Sequence, residues 1–216
     1  MSPRRALLAL VVAATPLVQL AGMAPHPELG HSAAETLAIV AQDPDEWFRV
    51  HLLSAGAATM SIVSALVLAA LVRGRGTALA TLGASMSVVG GFLLAFAFAA
   101  EAQLMSLAAD PSLDPAAMAP LLDLQEQGAA MAMLMAGFPL AGIGHLLLMC
   151  GLLRARVVPR WQPALILFGT FTSIAATPGL AIGPLLFLPG VIGTLFLAAT
   201  VARGPQVRED ELALAA

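Results

Sequence analysis

Long apolar runs alternate with short polar segments along most of this chain. A helix needs about 20 apolar residues to cross the hydrocarbon core of a bilayer. Runs of roughly that length occupy residues 6–24, 50–72, 77–100, 128–153, 161–177 and 184–202. The turn signal Thr177-Pro178-Gly179 separates the last two runs. The pattern predicts an all-α fold: a single six-helix transmembrane bundle over residues 1–203, followed by a short cytoplasmic tail at 204–216.

Two helix-start signals lie between the first and second spans. Ser32 and Glu35 have the spacing of a capping box, which predicts a short helix of about residues 33–42 on the outer surface. Asp43-Pro44 followed by Glu46 is a second start signal, and it begins the second span. The first run follows a basic start and could instead be a cleaved signal peptide. Its length and the position of Pro25 favour retention as a span.

The arginines orient the predicted bundle. The chain has ten arginines and no lysine. If the N-terminus is inside, every arginine except Arg49 lies on the cytoplasmic side, as the positive-inside rule requires. The sequence therefore predicts a multi-pass protein of the bacterial inner membrane with both termini in the cytoplasm.

Composition supports a membrane protein and excludes several other classes. The chain is 59% hydrophobic and only 11% charged, and its mean hydropathy is +0.90. These values exclude an ordinary soluble domain, a disordered chain and a nucleic-acid-binding protein. The net charge of −3 is too small to imply a charged partner. The partner that composition predicts is the lipid bilayer.

One inner turn resembles a known family. An apolar helix end at Gly151 leads through Arg154 and a short spacer to Pro159-Arg160, and Gly169 follows in the next helix. This arrangement resembles a family of uncharacterised six-helix bacterial integral membrane proteins, catalogued as a domain of unknown function. The resemblance covers residues 127–176. It implies a fold and a topology, and it implies no catalytic or binding residue.

His145 is the first candidate site residue, because ionisable groups inside a bilayer are costly and commonly functional. It lies nine residues before Arg154, about 13 Å into the span. Gly137 and Ala141 lie on the same helix face and favour close packing. We therefore expect His145 to point into the bundle as part of an intramembrane polar binding site. Its predicted partners there are Ser64, Thr81 and Ser85. A neutral histidine that only bonds across helices, a proton relay and a metal or haem ligand are the alternatives.

A second candidate group is predicted at the outer level. His26 closes the first span, His51 begins the second, and Glu101 lies about 36 Å along the third. Trp47 is predicted as an interface anchor on the face of His51. His51 and Glu101 are candidate catalytic residues, and His26, His51 and Glu101 are candidate ligands of a zinc ion. Further residues predicted near this level are His31 and Asp123. The alternative is a set of ordinary interface residues, and no cofactor is predicted by a motif.

Three functions remain open. The one we favour is non-enzymatic binding or transport of a small or lipophilic molecule, because prolines interrupt the spans and His145 is buried. The interior prolines are Pro16, Pro139, Pro184 and Pro189. The second is a structural or assembly subunit, which would pair with a copy of itself or another membrane protein through small-residue helix faces. The third is a membrane enzyme that acts on a lipid or isoprenoid with His51 and Glu101.

Overall fold

Helices make up all the regular secondary structure of the described residues. The computed structural model describes residues 2–24, 26–27, 30, 32–175 and 183–203, and no strand occurs among them. The helices are α1 (Pro3–Met23), α2 (Ala33–Val40), α3 (Pro44–Leu71), α4 (Thr77–Ala108), α5 (Pro115–Glu126), α6 (Ala129–Ala155), α7 (Trp161–Ala175) and α8 (Gly183–Arg203). The predicted all-α fold is confirmed.

Five of these helices are long and apolar enough to cross a membrane. They are α1, α3, α4, α6 and the Leu185–Arg203 part of α8. The chain is therefore a polytopic helical membrane protein. The described part of α7 has 15 residues, so a sixth span remains a prediction. The predicted turn at Thr177-Pro178-Gly179 and the tail at 204–216 lie outside the described residues.

Large apolar side chains lie on the outside of the bundle and small ones lie between its helices, as in a protein surrounded by lipid. Large apolar side chains such as Leu66, Phe92 and Phe96 are exposed on the outside of the bundle, whereas Ala57 and Ala80 are buried between helices. Lipid tails are as apolar as leucine, so large side chains can face outward while small ones let helix backbones approach. This distribution is the reason why the bundle is stable only with its outer surface in an apolar medium.

The six longest helices form a ring. Around the ring the order is α1, α3, α4, α6, α7 and α8, and α8 packs against α1 to close it. The contact between α6 and α7 is much sparser than the other contacts around the ring. The loops at Arg73 and Arg154 mark one end of the ring, here named the arginine end. His26 and His51 mark the other, here named the histidine end.

Glycines fix the register of α4 against α6. They recur every seven residues on both segments, at 76, 83 and 90 and at 137, 144 and 151. A Cβ added at Gly83 would collide with the backbone of Leu148 and Gly144, and one added at Gly90 would collide with Ala141. Only glycine permits this approach. The predicted small-residue face of α6 is therefore used within the chain.

The predicted start signals act at the helix termini as expected. The Ser32 side chain accepts a hydrogen bond from the Glu35 N–H at 3.3 Å, and Asp43 Oδ1 accepts one from the Glu46 N–H at 2.9 Å. Because Asp43 caps it, α3 begins at Pro44, six residues before the apolar run. The third apolar run also continues as helix, since α4 reaches Ala108.

The short helices α2 and α5 cover the histidine end. Leu37 and Val40 of α2 and Leu122 of α5 pack with Trp47 and Met105 in one apolar cluster. Trp47 is fully buried there. It is therefore not an exposed interface anchor as predicted, because the loop helices shield it from the membrane surface.

Candidate functional site

The ring encloses a cavity of about 800 Å³. All six long helices contribute to its wall, and most of the side chains there are apolar. Both Pro16 of α1 and Pro139 of α6 lie in the wall. The volume falls within the range of sites that bind drug-sized ligands. The cavity is thus the principal candidate for a binding site in the described part of the chain.

His145 lines this cavity, as the sequence predicted for an inward-facing residue. It is partly exposed, and it forms no hydrogen bond with any residue that the structure describes. Ser87 of α4 lines the same cavity and is 7% exposed. The Ser87 hydroxyl is buried and has no hydrogen-bond partner within the described ranges. His145, Ser87 and Gln19 of α1 are therefore polar side chains of the wall whose hydrogen-bonding capacity no described residue uses.

The predicted partners of His145 are only partly brought together. Ser64 does line the cavity, but its hydroxyl lies 2.8 Å from the Thr15 hydroxyl of α1. Thr81 and Ser85 are exposed and do not belong to the wall. They were placed wrongly because successive helix residues are rotated by about 100°, and depth alone does not give direction.

Ser87 is a polar cavity residue that the sequence analysis did not single out. The spacing of Ser87 from two glycines of α4 nevertheless indicates which way its side chain points. Ser87 lies four residues after Gly83 and three before Gly90, and residues three and four apart share a helix face. The two glycines pack on α6, so the residue between them on that face must also turn inward.

Exposed wall side chains on α6 and α7 indicate where the cavity opens. Phe138 and Ile143 of α6 and Phe171 of α7 line the cavity, and all three are also exposed, Phe171 by 59%. This position coincides with the sparse α6–α7 contact. We infer a side opening here, flanked by apolar side chains, towards the region that lipid tails would occupy.

The structure brings His26, His51 and Glu101 together at the histidine end. His51 Nε2 lies 3.7 Å from Glu101 Oε2, and the rings of His26 and His51 have centroids 5.0 Å apart. His51 Nδ1 lies 2.8 Å from the Trp47 carbonyl oxygen and donates a hydrogen bond to it, because a carbonyl oxygen can only accept. His51 is only 2% exposed. The arrangement is a polar cluster in which His51 is buried, and it joins α3, α4 and the segment after α1.

This cluster does not form a recognisable metal site. Among the described residues, no group of three or more His, Cys, Asp or Glu side chains has an arrangement that could hold a metal ion. His26 Nδ1 lies 2.7 Å from the Pro27 carbonyl oxygen, and His26 is exposed. Asp123 is exposed on α5, and His31 lies outside the described residues. The zinc ion considered from the sequence thus has no assembled ligand set here.

The histidine cluster lies beside one end of the cavity. The ring of Phe98 is 6.5 Å from that of His51 and 6.1 Å from that of Phe138, centroid to centroid. Phe98 and Phe138 both line the cavity. The two candidate sites of the sequence are therefore neighbours, with aromatic side chains between them.

Comparison with known proteins gives a family and no activity. A family model described as "Domain of unknown function (DUF4386)" matches residues 6–202. The match confirms the resemblance seen at residues 127–176 and extends it over nearly the whole chain. No curated protein and no solved structure matches the chain.

Proposed function

The chain belongs to this family of unknown function, and from its geometry we propose that it binds a small lipophilic molecule in the intramembrane cavity. The observation that carries the proposal is the cavity itself, about 800 Å³ in volume and walled by all six long helices. Membrane bundles place their ligand sites between helices in this way.

The position of the opening supports a lipophilic ligand. Phe138, Ile143 and Phe171 border the cavity and are exposed on the outer surface. A molecule dissolved in the bilayer would reach the cavity between α6 and α7 without leaving an apolar environment. The sparse contact between these two helices leaves room for such a route.

Two glycines offer a matched test. Gly142 lines the cavity, and a Cβ placed there would meet nothing within 4 Å. Gly56 of α3 also has open space around its Cβ position, but it does not line the cavity. Gly142→Leu should therefore place a side chain inside the cavity and obstruct it, whereas Gly56→Leu makes the same chemical change outside it. Neither variant should disturb helix packing.

Lipids that remain bound after purification in a mild detergent can be counted by native mass spectrometry. We expect the wild-type protein and Gly56→Leu to retain one lipophilic molecule of defined mass, and Gly142→Leu to lose it. Equal retention by all three proteins would place the bound molecule on the outer surface and contradict the proposal. So would a wild-type protein that retains nothing and binds no added lipophilic probe.

We also propose the orientation that the arginines favour, with the arginine end in the cytoplasm of a bacterial cell. Ser112 at the histidine end and Thr77 at the arginine end are both exposed. Single cysteines at these positions, in a Cys150→Ala background, can be labelled on intact cells with a membrane-impermeant maleimide. We expect Ser112→Cys to be labelled and Thr77→Cys to be protected. The opposite pattern would reverse the orientation.

The two alternative functions draw less support. The glycines of α4 and α6 already pack against each other, so pairing with a second chain through those faces remains a prediction with no surface assigned to it. His51 and Glu101 are close, but His51 is 2% exposed. A catalytic pair must contact its substrate, and the packing around His51 provides little access.

A further inference from the structure

We propose that His145 and Ser87 form a polar anchor that selects, among lipophilic molecules, a chain whose uncharged head group carries a hydroxyl or carbonyl oxygen. The inference rests on the proposed function, because it names the class of ligand that the cavity takes. It depends on three observations: two unpartnered polar side chains, a wall without Asp, Glu, Lys or Arg, and the position of Ser87 against Gly144, the residue that precedes His145.

The first observation is that both side chains lack partners. Buried polar groups are nearly always hydrogen-bonded, and an exception calls for a missing partner such as a ligand. Ser87 is more than nine-tenths buried, and its hydroxyl bonds to no described residue. His145 likewise has no hydrogen bond to the described part of the chain. Each of them can form a hydrogen bond with an oxygen atom of a ligand head group.

The other hydroxyls of the wall contrast with these two. Ser64 pairs with Thr15 at 2.8 Å. Ser61 donates to the Ala58 carbonyl at 2.7 Å, and Thr194 donates to the Gly190 carbonyl at 2.8 Å. Because these hydroxyls are already bonded inside the protein, a ligand gains less from them. Among the wall hydroxyls, the free capacity is therefore at Ser87. The other polar side chains of the wall that form no hydrogen bond with a described residue are His145 and Gln19 of α1, and Gln19 is also uncharged.

The second observation concerns charge. No Asp, Glu, Lys or Arg occurs among the residues described as lining the cavity. A carboxylate, phosphate or ammonium group brought there would lose its hydration and find no counter-ion, which is strongly unfavourable. A neutral imidazole can donate one hydrogen bond and accept another, and a serine hydroxyl can do both. The wall therefore matches an alcohol, a ketone or quinone, or an ester.

The third observation places the two side chains near each other. A Cβ added at Gly144 would lie 2.7 Å from Ser87 Oγ, so the serine hydroxyl packs beside the residue that precedes His145. Ser87 thus belongs to the α4–α6 contact, and His145 follows the contacting glycine by one residue on α6, where both side chains line the cavity. We expect one head group at this position to contact both while its apolar chain occupies the rest of the cavity.

The test uses three probes that share a 16-carbon chain: hexadecanol, palmitate at about pH 9, where its carboxyl is ionised, and hexadecyltrimethylammonium. Each is added to the detergent-purified full chain, and the bound copies are counted by native mass spectrometry. Binding that survives in Gly142→Leu is subtracted as binding outside the cavity. We expect hexadecanol to bind the cavity about tenfold or more tightly than either ionic probe.

Matched variants then test the anchor. Ser87→Ala and His145→Leu should each weaken hexadecanol binding about fivefold, and His145→Gln should restore most of the loss because an amide also donates and accepts. Ser61→Ala is the control for Ser87→Ala, since it removes a wall hydroxyl that is already bonded, and it should leave binding unchanged. Should His145→Leu fail to fold, the comparison of Ser87→Ala with Ser61→Ala still decides the question.

The outcomes separate the two proposals. Equal cavity binding of all three probes, or preference for an ionic one, would overturn the anchor and leave the lipophilic cavity standing. The anchor is also refuted if hexadecanol binds with the expected preference but Ser87→Ala and His145→Leu bind it like the wild type. If Gly142→Leu changes the binding of no probe, the proposed function fails as well.

Discussion

The indole ring of Trp47 stacks on the imidazole of His51, with ring centroids 4.4 Å apart and planes inclined by 28°. The same imidazole bonds to the Trp47 carbonyl and faces Glu101 across 3.7 Å. His51 is therefore held by stacking on its face and by the hydrogen bond from Nδ1, and its Nε2 edge faces Glu101 of α4. A residue fixed in this way is suited to joining α3 to α4 at the histidine end.

Replacement of His51 should cost stability, and replacement of His26 should not. His51→Ala removes a buried ring and its hydrogen bond, so we expect a loss of about 2–4 kcal/mol in the free energy of unfolding. His26 is exposed, and His26→Ala should change it by less than about 1 kcal/mol. Unfolding with a denaturing detergent, followed by circular dichroism, measures both. Equal effects would mean that the burial of His51 contributes nothing.

The two tryptophans should differ in fluorescence. Trp47 is fully buried beneath α2 and α5, whereas Trp161 is 48% exposed. In Trp161→Phe, the remaining emission from Trp47 should be blue-shifted and resistant to quenching by acrylamide. In Trp47→Phe, the emission from Trp161 should be quenched more readily. If Trp47 proves accessible to acrylamide, α2 and α5 do not cover the histidine end in solution.

Two glycines of α6 should respond oppositely to a single methyl group. A Cβ at Gly144 would lie 2.5 Å from the Ser87 backbone nitrogen and 2.7 Å from the Gly83 carbonyl oxygen, whereas one at Gly142 would meet nothing within 4 Å. Gly144→Ala should therefore destabilise the bundle by about 1–3 kcal/mol through overpacking. Gly142→Ala should be neutral or stabilising by up to about 1 kcal/mol through helix propensity. Detergent-induced unfolding of both variants checks the difference, and similar values would contradict the observed register.

The start of α3 depends on a side-chain cap. Asp43 Oδ1 accepts the Glu46 N–H at 2.9 Å. Asp43→Ala should lower the free energy of unfolding by about 1 kcal/mol, while Asp43→Asn, which keeps a capping oxygen, should lose much less. Hydrogen exchange of the first-turn amides of α3 offers a local readout. Faster exchange in Asp43→Ala alone is expected, and unchanged exchange there would show that the cap does not hold this helix end.

Local signals predicted much of the fold. The apolar runs identify the long helices because a bilayer imposes a minimum span length, and the caps at Ser32 and Asp43 are short-range hydrogen bonds that sequence spacing reveals. For the outer cluster, the sequence predicted that His51 and Glu101 lie at one level, and their side chains are 3.7 Å apart. These features depend on neighbours in the sequence or on a common depth in the membrane.

Rotation about the helix axis was harder to predict. In a soluble helix, polar residues mark the outward face, but α4 is apolar nearly all round, so hydrophobic periodicity gives no direction. Thr81 and Ser85 were chosen by depth and are exposed, while Ser87 lies on the wall. The burial of Trp47 was missed for a related reason, because it depends on how the separate helices α2 and α5 fold back over α3.

The seven-residue spacing of glycines along α4 and α6 limits how this protein can change during evolution. Deleting one residue between Gly83 and Gly90 would turn one of these glycines about 100° away from α6 and bring a side chain with a Cβ into the contact. Substitutions in the cavity wall away from the α4–α6 contact leave that register untouched. Related chains should therefore differ more freely in those wall side chains, and so in what they bind, while the lengths of these two helices between their glycines stay constant.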